Sequence, residues 1–155
     1  AISILIAWSI VSGGTGLGVM PTWVPVFLRD PAKGLGMSVF WAGVLSSVAT
    51  MGGVLGTIYL GRIADRRGYL KTAMVSLAVT TVMICLLTFY ASFNFLLIPN
   101  LFILSMTTFS LASLLQAHLT SVSSKAERDV LIGLFWTIGS GVSSPWSTML
   151  GFLID

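Results

Sequence analysis

The sequence predicts an all-α membrane protein with five transmembrane helices, and three observations lead there. Apolar residues fill 55% of the 155 positions and charged ones only 8%, whereas a soluble domain carries roughly 25% charge; so few charges cannot cover a surface facing water. The charges also cluster, leaving 1–28, 34–61, 72–117 and 130–154 without Lys, Arg, Asp or Glu. Each of these runs accommodates the roughly 20 apolar residues that a bilayer-spanning helix needs. The 72–117 run is long enough for two spans and divides near Ala91 to Asn94, after Tyr90 and before a fresh apolar segment. The predicted spans are therefore about 2–28, 38–60, 72–90, 95–117 and 130–153, and the chain, which opens inside an apolar run, reads as cut at both ends.

In the first span, Gly13, Gly14, Gly16 and Gly18 are followed by Pro21 and Pro25. Gly and Pro cost roughly 1 and 3 kcal/mol in a helix interior, so this is a poor straight helix. Loosened backbone survives at membrane depth where protein buries it or a wet cavity borders it; alternatively, the glycines let a neighbouring helix approach. Arg29, Asp30, Pro31 and Lys33 form a loop flanked by Trp23 and Trp41, at the depth where amphipathic rings settle. The second span carries small residues at helical spacing, Ala42, Ser46, Thr50, Ala49, Gly52, Gly53 and Gly56, and reads as a packing helix. The third, rich in Val, Leu, Met and Thr, reads as lipid-facing or peripheral, with Thr80, Thr81 and Thr88 bonding their own backbone.

The fourth span holds Asn100 and Thr107 on one side of the helical wheel. A polar segment from His118 to Asp129 follows, in which His118 reads as a solvated loop residue at the membrane edge. The fifth span has Glu127 and Asp129 before its first turn, where the helix dipole favours negative charge, and Pro145 predicts a bend.

Between the second and third spans lies Gly61 to Lys71, GRIADRRGYLK, which contains four of the eight basic residues and reads as a tight polar turn. Asp65 is its only acid, so its charge calls for Arg62, Arg66, Arg67 or a helix N-terminus. Gly61 and Gly68 suit unusual dihedrals or close backbone approach. Counting turns along the chain, Arg62, Arg66, Arg67, Lys71, Lys125 and Arg128 fall on one side and Arg29 and Lys33 on the other. Basic residues accumulate on the cytoplasmic side, which puts 61–71 on the cytoplasmic side of the cell (inner or plasma) membrane.

Gly61, Ala64, Asp65, Arg66 and Gly68 resemble the signature loop of the major facilitator superfamily of transporters, Gly-x-Leu-Ala-Asp-Arg-x-Gly-Arg-Lys, which is also cytoplasmic. The pattern departs after the second Gly, where Tyr69, Leu70 and then Lys71 replace Arg-Lys. The resemblance implies an incomplete half of a twelve-helix fold. The fourth span lacks the Arg-x-x-Gln-Gly-like motif of a first half, and Gly141, Pro145, Gly151 and the closing Leu-Ile-Asp resemble an eleventh span, which favours spans seven to eleven. It further implies a secondary transporter that moves a small solute by alternating access, with Gly61, Asp65, Arg66, Arg67, Gly68 and Lys71 as a cytoplasmic gate. Ser12, Thr15, Asn100 and Thr107 would then face the substrate cavity, while Gly52, Gly56, Gly141 and Pro145 serve helix packing and the second and fifth spans meet the other half.

No cofactor, metal or nucleic-acid partner is expected. The net charge of +3 is spread over short loops, not gathered into the surface that nucleic acid requires, and the single Cys85 and single His118 offer no metal pair. A membrane enzyme would need a cluster of His, Asp, Glu or Cys at one interface, which only His118 with Glu127 and Asp129 approaches. The alternative function is a non-transporting receptor or assembly subunit on the same fold. The expected partners are the lipid bilayer, a small-molecule substrate and the missing half.

Overall fold

A computed structural model describes residues 2–15, 19–32, 34–87, 89–90 and 94–154, with the side chains at 13–15, 19–21, 143, 146–147 and 149–154 outside that description. The division near Ala91, Lys33 of the first loop, Thr88 and the Thr15 side chain therefore lie outside the described residues. Six helices follow one another: α1 (Ile2–Thr15), α2 (Val19–Arg29), α3 (Val39–Arg67), α4 (Tyr69–Leu87), α5 (Leu97–Val122) and α6 (Arg128–Ile154), with no strand among the described residues. The first expected span is thus described as two helices. Of the five expected spans, α3, α4 and α5 are long and apolar enough to cross a bilayer among the described residues.

α5 is the hub of the bundle, packed along α3 on one side and α4 on the other. Its contact with α3 depends on missing side chains. A Cβ added at Gly52 would collide with the backbone carbonyl of Phe102, and one at Gly56 with that of Met106, so both positions admit only hydrogen where the backbones touch. Because 52 meets 102 and 56 meets 106, α3 and α5 run in the same direction. α4 returns along the other side of α5, presenting Thr72, Ala73, Ser76 and Thr80 as its buried residues.

Two buried clusters mark the ends of the bundle. One joins Trp8, Ala64, Ala73, Leu115, Leu119 and Phe135; the other joins Leu28, Ala42, Leu45, Ala49, Leu97 and Leu101. The first gathers the 61–71 stretch with the end of α5 and the start of α6, while Arg29, next to Leu28, belongs to the opposite end. α1 is tied to α6 at the first end. The Trp8 ring stacks on Phe135 with centroids 4.4 Å apart and planes 9° from parallel, and its indole Nε1 donates to the Phe135 carbonyl at 2.8 Å. Gly139 makes room for that ring, since a Cβ there would lie 2.6 Å from Nε1.

Helix ends differ from the expected boundaries for local reasons. α3 starts at Ser38, whose hydroxyl accepts from the Trp41 amide at 3.5 Å, and it continues through Arg67 because nothing between Gly61 and Gly68 breaks a helix. Arg66 and Arg67 occupy its last turn, where cations complement the dipole. α5 likewise runs on to Val122, so His118 is a half-buried helical residue instead of a loop histidine.

Candidate functional site

The charged joint between α3 and α4 is a single-residue break, not the tight polar turn the sequence suggests. Gly68 has φ 92°, ψ 139°, and its amide donates to the Ala64 carbonyl at 2.8 Å; any side chain there would be strained. Tyr69 already begins α4. Gly61, by contrast, lies within α3 with open space where a Cβ would stand, so neither an unusual dihedral nor a close approach within this chain demands it. Arg62, Arg66, Arg67 and Lys71 are all exposed.

Among the described residues Asp65 is met by neither an arginine nor a helix N-terminus. Its Oδ1 accepts from the Tyr69 hydroxyl at 2.7 Å, across the break and four residues on. A phenol with an ordinary pKa near 10 keeps its proton at neutral pH, so a neutral donor holds the carboxylate while the neighbouring cations remain without an ion pair among the described residues. Tyr69 was legible only as a departure from the signature; its partnership depends on how Gly68 sets α4 against α3.

The expected cavity residues divide. Thr107, buried at 6% exposure, accepts from Thr80 at 2.8 Å and donates to the Ile103 and Leu104 carbonyls, each at 3.1 Å. Its hydroxyl thus links α4 to α5. Ser12 is buried and donates to the Ser9 carbonyl at 3.3 Å. Asn100 is 4% exposed, yet both its amide nitrogen and its oxygen lack a partner, as does the Thr108 hydroxyl. Each such buried orphan costs about 1–3 kcal/mol. A Cβ at Gly141 would meet open space, and Pro145 is exposed.

A cleft of about 90 Å³ opens elsewhere, between α2, α3 and α5, lined by Val24, Pro25, Ser46, Ala49, Thr50, Ser105 and Phe109. The sequence places Ser46 and Thr50 among the packing residues of the second span. In the structure their smaller neighbours Ala42 and Ala49 are buried, while Ser46 is half-buried and Thr50 exposed. Both hydroxyls donate to their own helix, to the Ala42 carbonyl at 2.8 Å and the Ser46 carbonyl at 2.9 Å, leaving acceptor lone pairs toward the cleft. Hydroxyls recurring every four residues were the available signal, but the same spacing also marks a packing seam.

An apolar helical bundle with a charged one-residue joint matches one family model, that of the Major Facilitator Superfamily, over residues 1–147. The chain belongs to the major facilitator superfamily. Membership makes it an integral membrane protein of a transporter family, not of an enzyme family. Comparison with curated proteins gave no match, and comparison with solved structures gave none either. In this superfamily member the Gly61, Asp65 and Gly68 signature positions fall in the last turns of α3 and at the joint.

Proposed function

We propose that this chain is part of a secondary transporter that carries a small solute by alternating access, through five membrane spans formed by α1 with α2, α3, α4, α5 and α6. The observation that carries the reading is the superfamily match over residues 1–147, and the cleft between α2, α3 and α5 supplies the solute-facing surface. Hydroxyls at Ser46, Thr50 and Ser105 against Phe109 and Pro25 suit an uncharged polar solute, and Asn100 adds one buried amide with spare donors and an acceptor. A first half of the same transporter closes the site from the other side.

The joint at 61–71 serves as the cytoplasmic gate. Tyr69 holds Asp65 through Oδ1, and this exposed carboxylate with the exposed Arg62, Arg66 and Arg67 engages a helix end of the other half in one state and releases it in the next. Such an equilibrium shifts with ligand binding when the two states bind the solute unequally. In the full-length protein, Asp65→Asn should abolish most uptake into vesicles while insertion is retained, and unimpaired uptake would remove the gate. A cysteine at Arg67 should react only from the cytoplasmic face. Ser105→Ala should raise KM roughly two- to tenfold, the worth of one hydrogen bond, with little change in kcat; an unchanged KM would empty the cleft of its role.

A further inference from the structure

α4 has two unlike faces. Its buried face is made of small or hydroxyl residues, Thr72, Ala73, Ser76 and Thr80, the types that let membrane helices pack closely. The opposite face is exposed along its length: Met74 (66%), Val75 (58%) and Val82 (54%) with Ala78 and Leu86. At about 100° per residue these positions and Lys71 fall within roughly one third of the helix circumference. The stripe ends in Lys71 where α4 begins and in Phe89, 81% exposed, just past its other end.

The dimensions suit a bilayer. The 19 residues of α4 rise about 28 Å at about 1.5 Å each, close to the roughly 30 Å hydrocarbon thickness. An aromatic ring then sits at one interface and an ammonium at the other, where lysine extends its charge into the headgroups. Among the described residues this charge makes no ion pair. Asp65, the one carboxylate in the 61–71 stretch, is engaged by Tyr69, and Arg67, four residues before Lys71, is exposed as well. Glu127 stands between the end of α5 and the start of α6, where it accepts from Ser124, and Asp129 stands in the first turn of α6.

We propose that the exposed stripe of α4, with Lys71 and Arg67 at its end, forms a binding site for an anionic phospholipid whose chains lie along Met74, Val75 and Val82 and whose phosphate meets the two cations. The site shares Arg67 and Lys71 with the proposed gate, but its acyl-chain stripe lies on a face of α4 turned away from α5 and it is read out by binding, not by transport, so either reading can fail without the other.

The test uses the full-length protein in bilayers of phosphatidylcholine and phosphatidylglycerol, with spin-labelled forms of each lipid competing for the protein surface. Wild type should prefer phosphatidylglycerol. Lys71→Gln should reduce that preference about fivefold, the worth of one cation near an anionic surface; Arg67→Gln with Lys71→Gln should remove it, and Lys71→Arg should retain it. An unchanged preference in the double variant would overturn the proposal. Cys85, on the exposed side of α4, provides the second arm when kept as the sole cysteine. A nitroxide there should be accessible to oxygen and shielded from a water-soluble nickel chelate, and the reverse would overturn the stripe. Efficient Cys85-to-Cys85 cross-linking in the bilayer would assign the face to a second copy of the chain instead.

Discussion

α4 and α5 are neighbours of similar apolar character, with mean hydropathy of 2.0 and 1.6, yet 22% of the most apolar window of α4 is buried against 61% of that of α5. Hydropathy alone ranks them in the wrong order for burial. The reason is that lipid is as apolar as leucine, so no hydrophobic force draws one membrane helix onto another. What separates the two is the placement of small and hydroxyl residues. α4 carries one narrow row of them, used against α5, whereas α5 meets glycines of α3 on one side and hydroxyls of α4 on the other.

The comparison breaks most visibly at the α3 contact. Gly56→Leu should leave little folded protein, because the added Cβ already falls on the Met106 backbone, which cannot yield as a flexible side chain can; size-exclusion profiles of the solubilised protein would show aggregation. A smaller effect is expected from Leu104→Ala, at a fully buried position on α5. The loss should be about 2 kcal/mol, at the low end of the soluble-core range since the removed methyls gain nothing from leaving water. Unfolding in mixed micelles measures it, and the matching Val82→Ala on α4 should be near neutral. Smaller still is the Thr80–Thr107 bond of 2.8 Å. A double-mutant cycle with valine at both positions should give a coupling of about 0.6 kcal/mol, the average for interhelical hydrogen bonds in membranes, and no coupling would mean each hydroxyl is content with its own helix.

These contrasts also explain what the sequence could and could not tell. The charged joint, the apolar segments and the role of Gly52 and Gly56 at close contact were visible because charge and residue size act locally. The extent of α3 was not: arginines in a presumed turn became the last helical turn, since Arg is a good helix former and the helix C-terminus favours cations. The bond between Thr80 and Thr107 was not legible, because a helical wheel gives a residue's side but not which neighbour lies there; that depends on the rotation of α4 about α5. Tyr69 escaped for a related reason, as its bond to Asp65 crosses a break whose geometry only Gly68 permits. The cleft at Ser46, Thr50 and Ser105 arises from three helices and has no single-segment pattern.

The smallest expected effect is the sharpest test of the contrast. Ala78 stands in the exposed stripe of α4, one turn from Met74 and one from Val82, and an Ala78→Leu substitution adds three methylene-sized groups there. On a face packed against protein, such an enlargement costs about 1–3 kcal/mol through forced rotamers and backbone shifts. On a face that meets fluid acyl chains the new atoms displace lipid of equal polarity, and leucine is as good a helix former as any residue but alanine. The expected change in stability is therefore within about 0.5 kcal/mol, the range of surface substitutions. A loss near 2 kcal/mol would show that something solid covers α4, and the distinction between its two faces would no longer hold.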